Sequence, residues 1–362
     1  MCDNRMGGHV AHRNGEFHSM KVLWRCAVAV TALASISCAK PEGHHGFRVA
    51  LITPGSIADA AWNSSAYHGL LRIRDSLGAE ISHVEAGTPA AQEEALRTYA
   101  AQGYDLIIGN GFEFQEPSER VSAQYPGPVF AVNSGARVHG RVVPLVFQIQ
   151  EATYLAGMVA GGLTKTGTIG FIGGVELPPV AAGYRGWVNG ARAVRPDVKT
   201  RVTYLNNWDD AAAGREAALA QIRLGADMIH HNADAAALGV FQAAKESPGV
   251  YVFGANADQS SLAPERVPGS AVIDLPRAFL LVAREVRSGT FTPRVEAFGL
   301  ASGVVRYDPN PRLESMVPAA LAARVRAAAD SIADGTLVAA PRPASMQASR
   351  SRRSVKGEPG TI

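Results

Sequence analysis

The run YLAGMVAGGLTKTGTIGFIGG, residues 154–174, changes period in its middle. Its first half lies in an amphipathic stretch with helical spacing, EATYLAGMVAGGLTK (151–165); its second is a short apolar run, TIGFIGG (168–174). A helix feeding a short apolar strand is the repeating unit of a parallel sheet covered on both faces. The alternation extends in both directions. FRVALIT (47–53), YDLIIGN (104–110) and PVFAVNS (128–134) come before, and RVTYLN (201–206), ADMIHH (226–231) and GVYVFGAN (249–256) after. Helix-period segments lie between them, among them SAYHGLLRIRDSLG (65–78), PAAQEEALRTYAAQG (89–103), YRGWVNGARAVRP (184–196) and GREAALAQIRLG (214–225). Several close on glycine, as helix C-termini often do.

The chain has 362 residues, more than the roughly 250–300 over which one hydrophobic core keeps growing, so two lobes are expected. GYDLIIG (103–109) and GADMIHH (225–231) are similar entries into strands, as two lobes of like architecture require. The expected division is 47–147 plus about 254–280 for the first lobe, and 148–253 plus about 281–335 for the second. A last helix is expected within 313–335, and the Ser-, Arg- and Pro-rich tail, 336–362, is expected to be disordered. With 47% hydrophobic and 19% charged residues the composition is that of an ordinary globular chain. The net charge is only +3, and part of that excess lies in SRSRRSVKG (349–357), which leaves no electrostatic case for nucleic acid.

The N-terminus has the layout of a secretory leader: Lys21 and Arg25, an apolar stretch over 26–36, then small Ser37 before Cys38. Met20 reads as the true start, and 39–46, AKPEGHHG, as a short tether. SISC (35–38) resembles a bacterial lipobox with Cys38 as the lipidated residue, which implies a lipid-anchored protein facing the periplasm or the cell exterior. The three cysteines, Cys2, Cys26 and Cys38, all lie in or before the leader, so the processed body has neither thiol nor disulfide.

In open α/β sheets ligands lie beyond the carboxyl ends of the strands. The segments there are PGSIADAAWN (54–63), NGFEF (110–114), NSGAR (133–137), GGVELPP (173–179), NNWDD (206–210), HNADA (231–235) and NADQS (256–260), rich in Asn, Asp and aromatics. No Walker loop, G-x-G-x-x-G or G-x-S-x-G occurs at these positions, and no Ser–His–Asp or Cys–His order presents itself. Adjacent His230 and His231 would point to opposite faces of a strand, so no metal site is expected there. Asp209 reads equally as a helix N-cap. Binding is favoured over turnover, and no cofactor is expected. Trp62 and Trp208 each follow a strand of a different lobe and are flanked by Asp59 and Asn63, and by Asn207 and Asp209. Facing across a cleft, the two indoles could clamp a flat ligand whose edge Asn and Asp would read. Packing of both rings beneath loops is the other reading.

The lipobox followed by DAAWNSSAYHGL (59–70) is similar to the opening of the basic membrane protein family, the substrate-binding lipoproteins of ABC importers that include purine nucleoside receptors. The resemblance continues through YDLIIGNGFEF (104–114), the 151–178 tract, GWVNGARAVRPDVK (186–199), NNWDDAAAGREAALAQIRLGADMI (206–229) and GANADQSSLAPE (254–265), covering about 47–334. It implies an α/β type I periplasmic binding-protein fold, two doubly wound lobes with a ligand cleft between them. It also implies an ABC permease and ATPase as partners, and a nucleoside, base or similar heterocycle as ligand. Trp62 and Trp208 match the family's paired aromatics, with Asp59 and Asn63 as contacts from the first loop. Gly111, Phe112, Asn133, Asp209, Asn232, Asn256 and Asp258 complete the expected site. Asn256 stands where relatives carry an Asp for ribose, Ile273 where they often carry Lys, and Asn133 where many carry Asp. These changes keep a free base or a flavin beside the nucleoside. An exported nucleoside hydrolase using Asp59 or Asp209, and a ligand sensor without transport, are the alternatives.

Overall fold

The computed structural model describes residues 46–58 and 62–340. The leader and Cys38, most of the tether, Asp59 and the tail beyond 340 lie outside the described residues. Strands β1 (Arg48–Thr53), β2 (Glu80–Glu85), β3 (Leu106–Gly109), β4 (Val129–Asn133) and β5 (Val142–Phe147) alternate with helices α1 (Trp62–Leu77), α2 (Pro89–Ala101) and α3 (Gln115–Ser122). After α4 (Ile149–Leu163) come β6 (Thr168–Gly173), α5 (Pro178–Val194), β7 (Lys199–Tyr204), α6 (Ala211–Arg223), β8 (Met228–Asn232), α7 (Ala237–Glu246), β9 (Tyr251–Asn256) and β10 (Gly269–Ile273). Helix α8 (Leu275–Ser288), β11 (Glu296–Phe298), β12 (Val305–Pro309) and α9 (Ala319–Ala333) follow as the last elements of the described residues.

Two six-stranded sheets result, ordered β11-β5-β4-β3-β1-β2 and β12-β10-β9-β8-β6-β7. Every pairing is parallel except β10 with β12. Strands β3, β4, β5 and β6 are buried at every residue, which is why β3, β4 and β6 stand out in the sequence as apolar runs. Gly78, Gly103 and Gly225 end α1, α2 and α6 at positive φ (62°, 77° and 91°), as the glycine endings of those segments indicate.

The expected lobe boundary after residue 253 is corrected. Strand β9 pairs with β8 and β10 with β9, so both belong to the second sheet. The chain returns to the first lobe only with α8, which packs on α1 where Phe279 lies against Gly69. Strand β11 then joins the first sheet beside β5, and β12 the second. The chain therefore crosses between sheets at 147–149, 273–275 and 298–305. These crossings are tied together. The Gln148 amide donates to the Phe298 carbonyl at 2.8 Å, the Asp274 amide donates to the Val304 carbonyl at 2.7 Å, and the Phe147 and Phe298 rings stack at 5.8 Å.

Candidate functional site

The carboxyl ends of both sheets and the crossings enclose one cavity of about 670 Å³, within the 300–1,000 Å³ range of small-molecule sites. On the first-lobe side, Asn110 ends β3 and organises its neighbours. Its carbonyl accepts from the Trp62 indole Nε1 at 3.3 Å, and its Nδ2 donates to Asn63 Oδ1 at 2.9 Å. Behind it, Asn133 donates to Asn110 Oδ1 at 2.5 Å. Trp62 opens α1 and sets its ring edge-on to Phe147, with centroids 6.4 Å apart and planes at 87°.

On the second-lobe side, the strand path of β7 runs on past Tyr204: the Leu205 and Asn206 amides donate to the Gly173 and Gly174 carbonyls. Asn206 then turns the chain at φ 58°, a conformation that asparagine tolerates better than most residues. That turn delivers Trp208, whose ring lies so close over Gly174 that any side chain there would overlap it. Asn256 adopts φ 65° at the end of β9 and reaches toward Asn232 Oδ1 at 3.5 Å.

Of the expected residues, Trp62, Asn63, Gly111, Phe112, Trp208, Asp209, Asn232 and Asn256 line this cavity together. Asn133 and Asp258 do not. Asn133 is fully buried and touches the cavity only through Asn110 and Asn63. Asp258 is exposed, and its Oδ1 accepts from the Ser260 amide at 3.0 Å. The α6 N-cap is Asp210, which accepts from the Ala213 amide at 2.9 Å, so Asp209 stays available to the cavity mouth. His230 and His231 do diverge. His230 packs on Trp187 at 5.3 Å and meets the Phe253 carbonyl, while His231 packs on Phe241 and bonds Gln259 at 2.9 Å.

Sequence reasoning missed Glu113, Phe147, Gln150 and Asp234 as lining residues and Asn110 as the hub. Asn110 was legible as a polar residue ending an apolar strand; Phe147 and Gln150 carry no such signal, because the crossing that places them is visible only in three dimensions. Glu113 follows β3 in a single turn (Phe112–Phe114), and burial pushes its carboxyl pKa upward. Glu113, Asp209 and Asp234 are the only charged side chains in the described lining.

A family model described as Bmp, ABC transporter substrate-binding protein PnrA-like, matches residues 47–332. The chain belongs to this family. It is 32% identical over 273 residues to Basic membrane protein A2 of Borrelia garinii subsp. bavariensis, covering 74% of this chain and 81% of that protein. It is similar to an ABC transporter solute-binding protein from Conexibacter woesei at 28% identity and TM-score 0.69, covering 82% of this chain and 99% of the other. An ABC transporter solute-binding protein from Aeropyrum pernix shares the fold at TM-score 0.75 and 21% identity, covering 85% and 97% of the two chains. The two lobes are thus those of the periplasmic binding-protein fold, and the protein is of the substrate-binding class of ABC transporters.

Proposed function

We propose that this protein captures a flat heterocycle, in the first place a purine nucleoside, between Trp62 and Trp208 and delivers it to an ABC permease and its ATPase. The observation that carries this reading is that two indoles from different lobes line one cavity. Stacking a base on an aromatic ring contributes roughly 1–3 kcal/mol. Asn63, Asn232 and Asn256 supply the amide donors and acceptors that a ring edge requires, with Asp209 at the entrance. Ile273 lines the cavity in place of a lysine, so free bases and flavins belong in the same trial. Contacts to both lobes exist together only when the lobes are closed, and the ligand shifts the population toward that form by its differential affinity. Anchoring through a lipid on Cys38 would hold the receptor outside the membrane, within reach of its permease.

A melting-point panel of nucleosides, bases and flavins tests this, since a ligand of the native state raises the melting temperature. At least one compound should stabilise the protein and also reduce its radius of gyration in solution scattering. Trp62→Ala and Trp208→Ala should each weaken that compound by roughly ten- to a hundredfold. Unchanged affinity in both variants would refute the clamp.

A further inference from the structure

The charge of the cavity is one-sided. Its described lining carries Glu113, Asp209 and Asp234 and no lysine, arginine or histidine. The arginines next to the lining in sequence are engaged elsewhere: Arg137 with Glu119 at 2.7 Å, and Arg294 with Glu285 and Glu296 at 2.8 Å. Glu113 stands apart from the other two acids. Its carboxylate folds back over Gly111, so closely that a Cβ at Gly111 would overlap it. The contact that favours its charged form is with its own backbone amide, while burial opposes that form. Its carboxylate forms no ion pair among the described residues. A half-buried carboxylate beside a ligand cavity, without a counter-charge, is best completed by a donor or a cation that the ligand brings.

We propose that Glu113 selects the charge of the ligand: its carboxylate accepts a hydrogen bond from an N–H or O–H of the bound molecule, and the cavity refuses relatives of that molecule that carry a phosphate or carboxylate. The inference rests on the heterocycle reading and narrows it to neutral and cationic compounds, nucleosides rather than nucleotides. An anion entering this cavity would lose its hydration and meet the Glu113 carboxylate, with no lysine, arginine or histidine in the described lining to replace the lost water.

Calorimetric titration of the full chain tests it with two matched pairs: adenosine against adenosine monophosphate, and the cationic nicotinamide riboside against nicotinamide mononucleotide. In the wild type the nucleoside that binds should do so at least a hundredfold more tightly than its monophosphate. In Glu113→Gln, which keeps the shape and removes the charge, that ratio should fall at least tenfold. A role of Glu113 confined to bracing the Gly111 turn would weaken both members of a pair alike, and an unchanged ratio overturns the inference. So does a monophosphate that binds as tightly as its nucleoside. Mass spectrometry of compounds released from the purified protein by denaturation separates this failure from that of the function. If none of the four probes binds, the nucleoside reading falls, and the released compound still decides the charge rule. A neutral or cationic compound supports it, and a phosphorylated or carboxylated one overturns it.

Discussion

Single residues do their work here through what stands behind them. Asn110 contacts both Trp62 and Asn63: its main-chain carbonyl, just past the end of β3, accepts from the first indole, and its side-chain amide donates to Asn63. On the opposite lobe the equivalent support is the bare backbone of Gly174 under Trp208. The two histidines of β8 make a separate point about stability. Burial lowers their pKa from 6.5 to about 3 for His230 and about 4 for His231. As pH falls below about 6.5 the unfolded chain takes up these protons first, so stability drops through this range and levels off below the folded-state values. Each histidine should lose roughly 1 kcal/mol of stability per pH unit in that window. Urea unfolding at about pH 7 and about pH 4.5 checks this, and His230→Phe, which keeps the ring among Trp187, Phe171 and Phe253, should flatten the slope.

At the scale of elements, the most informative contact is that of α4 with α5. Gly157 and Gly161 of α4 face Trp187 and Ala191 of α5, and Gly186 and Gly190 of α5 face Gln150 and Tyr154 of α4. Without side chains at these four places the two backbones meet directly. Gly190→Val should lower stability by about 1–3 kcal/mol or more, because its Cβ would overlap the Tyr154 carbonyl. A chemical-denaturation midpoint reads the loss, while Gly335→Ala, which has open space beyond α9 but a left-handed φ of 83°, should cost about 1 kcal/mol. The glycine-rich run 154–174 was legible as helix then strand, but its glycines read only as turns and helix ends. Their use as a helix–helix seam depends on a partner thirty residues away. Strands β3, β4, β6, β8 and β9 were legible because both faces are buried. Edge strand β2, EISHVE, has no fully buried residue and gave no apolar run; three-residue β11 is shorter than any periodicity can register.

For the whole molecule, alternation made the two-lobed architecture legible, whereas the allocation of residues 254–280 was not. A strand run carries no mark of which sheet it will join, and β9 and β10 follow the second sheet because β8 offers its edge. The site was legible as far as strand ends reach; the part built by the crossings was not. Attachment is a property of the complete chain as well. No helix among the described residues is long and apolar enough to span a membrane. With Cys38 as the proposed attachment point, Cys38→Ser expressed from Met20 should move the protein from the membrane pellet to the soluble fraction, with ligand binding intact.

The interleaving of the two sheets also sets an order of assembly. The first sheet receives its outermost strand, Glu296–Phe298, only after every parallel strand of the second, and helices α4 to α7, have been made. Until then the backbone groups along one side of β5 have no neighbour, and an unpaired apolar edge invites adhesion to other chains. The first lobe can therefore not mature as an independent amino-terminal fragment, and a strand about 150 residues beyond β5 seals the first sheet laid down.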